Sequence, residues 1–172
     1  MAGDKYLKNN AGVITEVVAS QTSAGAGDAG KIPALDSAGK LDNSLMPVGL
    51  ATETDIIPAS EALAAGDFVN IWTDTVAKVR KADGSTSGKE AHGFVLAAVE
   101  SAANAEVYRW SQLNNQKTGL TPGSTQYLSI TVPGGTQETV PTGAGKTLQK
   151  LGVAKSATEL VFMPFDPIVL AA

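Results

Sequence analysis

This sequence predicts an all-β protein with an extended N-terminal arm, and three observations carry the prediction. Short apolar runs recur from Phe68 to Leu170 at a spacing of about ten residues, with Gly and Pro at the joints. Eight of the nine aromatic residues lie between Phe68 and Phe165, while Tyr6 stands alone near the start. The stretch 29–49 is regular yet poor in apolar mass: Ala29-Gly30-Lys31-Ile32 returns nine residues later as Ala38-Gly39-Lys40-Leu41. Residues 1–50 are therefore expected to form an arm ending in a Gly/Lys micro-repeat linker. Residues 51–172 are expected to form a single β-barrel or β-sandwich of about eight or nine short strands.

Within the arm, Tyr6-Leu7, Val13-Ile14 and Val17-Val18 favour an extended strand, because branching at Cβ stiffens χ1 and suits a pleated chain. Residues 20–30 are small, polar and Gly-rich, the composition of a flexible linker. Each micro-repeat copy then offers one aliphatic residue beside a Gly and a Lys. Asp42 or Asn43 is placed to cap one short helical turn, which Pro47 would end.

Ala59 to Gly66 is the best helix candidate, one or two turns long, with an extended lead-in as the alternative. In the strand Phe68–Thr73, Phe68, Asn70 and Trp72 share one face, and Val69 and Ile71 share the other. A hairpin turn at Asp74-Thr75 leads to the partner run 76–80, and 82–88 is a loop. The nearly continuous apolar run 92–99 predicts a strand covered on both faces. Alternating or apolar runs at 106–110, 126–130, 147–154, 159–163 and 167–170 complete the set.

Hydrophobic residues make up 43% of the chain, enough for a core, and a domain of about 120 residues buries around two-thirds of its unfolded surface. The net charge is −4, the pI is near 4.9, and basic residues form no run. Nucleic acid and anionic membrane surfaces, which reward clustered Lys and Arg, are thus not expected partners. With no cysteine, disulfides, zinc thiolates and thiol nucleophiles are excluded. No apolar signal region and no run of about 18 apolar residues is present, so a soluble protein made without an export address is expected.

The chemistry-bearing motifs are sparse. Pro141 to Thr147 imitates a phosphate loop, but the position requiring the first glycine is Val140, and a strand pattern follows instead of a helix. His92, the only histidine, reads as structural, because a metal site asks for a second imidazole or thiolate. No Gly-x-Ser-x-Gly elbow occurs, and Glu90, Glu100 and Glu106 flank strands as solvated charges. No catalysis and no cofactor is expected. Trp72, Tyr108 and Trp110 suit either a stacking platform or, at alternate strand positions, core and subunit interface.

The blocks Gly27-Asp28-Ala29-Gly30-Lys31-Ile32-Pro33-Ala34-Leu35-Asp36, Gly39-Lys40-Leu41-Asp42-Asn43-Ser44-Leu45-Met46-Pro47, Gly66-Asp67-Phe68-Val69-Asn70, Ala91-His92-Gly93-Phe94-Val95 and Gly119-Leu120-Thr121-Pro122-Gly123 together resemble small structural proteins of tailed-bacteriophage virions. These are capsid decoration (cement) proteins, head fibres and connecting segments of tail fibres. The resemblance spans nearly the whole chain without separating head from tail. It implies a non-enzymatic virion component made in the host cytoplasm, a homotrimer whose partner is the major capsid protein or another virion protein. A fibre role would add a host-surface glycan.

On this reading Tyr6, Leu7, Val13, Ile14 and Val17 add an edge strand to a partner, while Ile32, Leu35, Leu41, Leu45 and Met46 insert as knobs. One buried aliphatic side chain is worth about 1.5–3 kcal/mol. Arm ordering costs roughly 1–2 kcal/mol per residue, so linked copies would supply the missing affinity. Trp72, Trp110, Phe162 and Phe165 are the candidate subunit-interface residues.

Overall fold

The computed structural model describes residues 5–46 and 54–171. The chain divides into two compact units, Met1–Thr52 and Glu53–Ala172. Both are built from strands and turns, with two 3-10 turns as the helical elements among the described residues. The sequence-predicted stop at Pro47 lies outside those residues.

In the N-terminal unit, β1 (Lys5–Asn10) and β2 (Val13–Val18) pair antiparallel from Lys5↔Val18 to Asn10↔Val13. Ala11 at φ 50 and Gly12 at φ 91 make the connection, and two positive φ values suit the right-handed twist of a hairpin. The expected single extended strand is thus a hairpin. The expected flexible linker 20–30 is likewise ordered by local bonds: a 3-10 turn at Ala26–Asp28 follows, and Ser20 bridges to Pro33, with Ser20 N donating to Ile32 O at 2.9 Å. The capped turn forms as read. A 3-10 turn at Asn43–Leu45 is closed by Asp42, whose carboxylate accepts from Ser44 N at 2.9 Å.

The C-terminal unit contains twelve strands among its described residues. β3 (Thr54–Pro58), β4 (Phe68–Thr73), β5 (Ala77–Lys81), β6 (Gly93–Phe94) and β7 (Asn104–Tyr108) form an antiparallel sheet in the order β3-β7-β6-β4-β5. β8 (Leu113–Asn114), β9 (Thr125–Leu128), β10 (Thr136–Gln137), β11 (Thr147–Leu148), β12 (Lys150–Ala154), β13 (Leu160–Phe162) and β14 (Ile168–Val169) follow. They make a second five-stranded sheet, β10-β9-β12-β13-β8, and a separate pair, β11-β14. Both large sheets are open, which removes the closed barrel as a description. In the first sheet a lone parallel bridge, Ala59↔Val79, ties the chain just after β3 to β5.

β4 explains how the core is organised. Its period of two sends Phe68 to one side, where Phe94, Leu128, Leu151, Leu160 and Phe162 from both sheets meet it. Val69 points the other way, into a second cluster with Val79, Val95, Ala105 and Val107. Asn70 is buried between the neighbouring strands and bonded at both ends of its carboxamide, donating to Glu90 O at 2.8 Å and accepting from Arg80 Nε at 3.0 Å. One bulge is obligatory. A Cβ at Gly152 would lie 1.9 Å from Val161 O, where the β12 register shifts between Lys150 and Gly152.

Three element expectations are corrected. Ala59 to Gly66 is not a helix: its amides reach other segments, with Ala59 N bonded to Ala103 O, Leu63 N to Val99 O and Gly66 N to Val95 O, each at 2.8 Å. Tertiary pairing overrides the alanine propensity there. The run 92–99 is a strand only at Gly93–Phe94, because Ala97 and Ala98 turn out to the surface. The run 147–154 breaks at buried Gln149, whose side chain clamps Ala91 N at 2.8 Å and Ala91 O at 3.0 Å.

Candidate interaction surfaces

The N-terminal hairpin has two unlike faces. Register puts Tyr6, Val17, Lys8, Thr15, Asn10 and Val13 on one and Lys5, Val18, Leu7, Glu16, Asn9 and Ile14 on the other. The micro-repeat meets only the Tyr6–Val17 end of the first face, where Ile32 N donates to Tyr6 Oη at 3.3 Å and Lys8 Nζ donates to Gly30 O at 3.4 Å; Val13 and Thr15 of that face stay exposed. The second face is bare. Leu7 is 73% and Ile14 61% exposed, with a Lys5–Glu16 ion pair between the strands.

Two aspartates shape the micro-repeat, Asp28 from the end of its turn and Asp36 from the start. Asp28 accepts from Ala24 N at 2.7 Å and pairs with Lys31 Nζ at 2.7 Å, and Gly30 follows at φ 81. Asp36 accepts from Ala38 N at 2.8 Å and Lys40 N at 2.9 Å, and Gly39 follows at φ 74. Short acceptor side chains and left-handed glycines satisfy the backbone locally. Each turn therefore presents its aliphatic residue outward: Ile32 and Leu41 are exposed, as are Leu35 and Met46. The Lys31 ammonium beside Asp28 holds its carboxyl below the ordinary range, and Asp28 in turn raises Lys31. Bonds from Ser44 lower Asp42.

Of the ten arm residues singled out from sequence, Leu7, Val13, Ile14, Ile32, Leu35, Leu41 and Met46 are exposed, and Tyr6, Val17 and Leu45 are half-buried. No residue from 5 to 46 is buried. Val18, read from sequence as strand but not as a contact residue, shares the bare face with Leu7 and Ile14. An Ala11-Gly12 turn with period-two alternation was the signal for it.

In the C-terminal unit the four aromatic interface candidates part company. Phe162 is wholly buried, with ring centroids 5.3 Å from Phe68 and 5.7 Å from Phe94, so it belongs to the chain's own core and is withdrawn as an interface residue. Trp72 is half-buried, its Nε1 donating to Ser60 Oγ at 3.1 Å and the Arg80 guanidinium lying 4.9 Å over its ring. Trp110 and Phe165 are 59% and 61% exposed. Trp72, Tyr108 and Trp110 do not form one platform, since they line three separate hollows.

Trp110 and Phe165 border an open cleft of about 810 Å³ floored by Phe162, Ala91 and Gln149. Glu90, His92, Arg109 and Asp166 add its polar groups, and sequence reading had assigned none of them a shared site. His92 Nδ1 accepts from Ile71 N at 3.0 Å, which fixes the ring and leaves Nε2 as the protonated nitrogen of the neutral form. Desolvation where the ring meets β4, with Arg109 nearby, lowers the His92 pKa against an opposing pull from Glu90. Arg109 Nε lies 3.4 Å from Asp55. No cluster of metal-ligating side chains occurs among the described residues, and no helix there is long and apolar enough to cross a membrane.

Fold and surfaces thus define an all-β chain of two units, one cored and one not. Comparison with protein-family models, curated proteins and solved structures yields no match.

Proposed function

We propose that this protein is a non-enzymatic virion structural protein, a capsid decoration (cement) protein that binds the outer surface of a phage head through its N-terminal unit. One observation carries the reading. From residue 5 to 46 no residue is buried, yet Leu7, Val13, Ile14, Ile32, Leu35 and Leu41 are held outward on an ordered hairpin and two capped turns. Apolar side chains fixed in water by satisfied backbone bonds are a docking surface waiting for its partner. The partner is the major capsid protein or another virion protein. Copies acting together, as a trimer, raise the avidity of weak individual contacts. The C-terminal unit, a two-layered β-sandwich on this reading, is displayed outward.

The test uses the full chain and a Leu7→Lys/Ile14→Lys double variant in co-sedimentation with assembled, undecorated phage capsids. At least tenfold weaker binding by the variant is expected, with thermal unfolding of the C-terminal unit unchanged. Equal binding would remove the role of the hairpin. A second reading, a head- or tail-fibre component that attaches to the host surface, draws on the cleft edged by exposed Trp110 and Phe165.

A further inference from the structure

We infer that the cleft of the C-terminal unit bounded by Trp110 and Phe165 is a saccharide-binding site that takes a neutral, hydroxyl-rich sugar. The inference is independent of the N-terminal unit and deepens the host-attachment reading, on which its biological role rests. At about 810 Å³ the cleft falls in the size range of small-ligand sites.

Its walls are held in place. Ser111, next to Trp110, sits at φ 65, a left-handed backbone that a non-glycine residue adopts only under constraint, and its N donates to Phe162 O at 2.9 Å. This anchors the turn that presents Trp110 to water. Phe165 is pinned between Pro164 and Pro167, with its N bonded to Lys150 O at 3.0 Å. Lys150 Nζ lies 4.9 Å over the Phe165 ring and covers one of its faces, whereas Trp110, 59% exposed, carries no such cation among the described residues.

The polar groups match a polyol. Among the described residues, the carboxylates of Glu90 and Asp166 make no hydrogen bond or ion pair, although His92 and Arg109 line the same cleft. Those carboxylates are acceptors for hydroxyl hydrogens, and the outward Nε2–H of His92 is a donor for a hydroxyl or ring oxygen. A sugar supplies both from one edge while laying its apolar C–H face on an aromatic ring. An anionic ligand would meet two carboxylates against the single guanidinium of Arg109, which already lies 3.4 Å from Asp55. An apolar peptide would strip water from those same carboxylates without replacing it.

The experiment presents the full chain to an array of several hundred neutral and acidic glycans and titrates the strongest binder by calorimetry. Neutral glycans are expected to bind and to shift the tryptophan emission of a Trp72→Phe background, whose remaining indole is Trp110. Trp110→Ala should weaken binding at least tenfold, and Glu90→Gln or Asp166→Asn at least threefold, with unfolding curves and capsid co-sedimentation unchanged. An array without signal, binding confined to acidic glycans, or a Trp110→Ala protein that binds equally well would each overturn the assignment. Self-association that Trp110→Ala abolishes would also overturn it, by giving the cleft to a contact between copies.

Discussion

The N-terminal and C-terminal units are both shaped by backbone pairing and treat apolar surface in opposite ways. From Glu53 on, strands alternate so that Phe68, Phe94 and Phe162 meet on one side of a sheet and Val69, Val79 and Val107 on the other. From Lys5 to Met46, aspartate caps and one hairpin ladder do the ordering, and Leu7, Ile14, Ile32 and Leu41 stay in water. A two-stranded hairpin is marginal without an apolar face to bury. The difference teaches that order and burial are separable. A segment can be shaped by local polar bonds and leave its hydrophobic free energy for another molecule.

The sharpest way to break this comparison is to remove core from the cored unit. Phe162→Ala deletes a ring packed on Phe68 and Phe94 and should cost about 3–5 kcal/mol. Phe165→Ala, three residues on and exposed, should change stability by less than about 0.5 kcal/mol. Chemical denaturation of both variants checks the pair, and equal losses would mean that Phe165 is covered as Phe162 is. A smaller effect sharpens the other side. Tyr6→Phe removes the oxygen that accepts from Ile32 N at a long 3.3 Å, the low end of the 0.5–1.5 kcal/mol typical of a hydrogen bond. Hydrogen exchange at the Ile32 amide should accelerate several-fold, while unfolding of the C-terminal unit stays put. An unaltered Ile32 amide would show that Tyr6 does not hold the micro-repeat against the hairpin.

How far the sequence was legible follows from which signals are local. The division near residue 50 was readable, because every aromatic but Tyr6 and the recurring Gly/Pro-punctuated apolar runs come after it. The face assignment in Phe68–Thr73 was readable from period two alone, and a cap at Asp42 or Asn43 from their position at a short turn, where the structure uses Asp42. What escaped depended on distant partners. Ala59 to Gly66 looked helical until its amides found Val95, Val99 and Ala103. Short strands such as β8 and β10 exist only because a neighbour pairs with them. The cleft was invisible for the same reason, since Glu90, Arg109 and Asp166 are brought together by the folding of separate loops and not by any spacing along the chain.

The smallest effect concerns pH, and it separates the units once more because the only histidine belongs to the cored one. In the folded protein the His92 pKa lies below its ordinary value near 6.5, chiefly because the ring is desolvated against β4, with Arg109 adding to the depression and Glu90 opposing it. The amide of Ile71 pointing at Nδ1 also requires an unprotonated nitrogen there. As pH falls below about 6.5 the unfolded chain takes up its proton first, so it binds more protons than the folded one and stability declines. Above that value the contribution is fully present. Thermal unfolding of the C-terminal unit should therefore drift downward between pH 7 and pH 5. His92→Gln, whose carboxamide oxygen can still accept from Ile71 N without titrating, should flatten that drift. An identical slope in the variant would place the titration elsewhere and leave His92 a spectator at the cleft mouth.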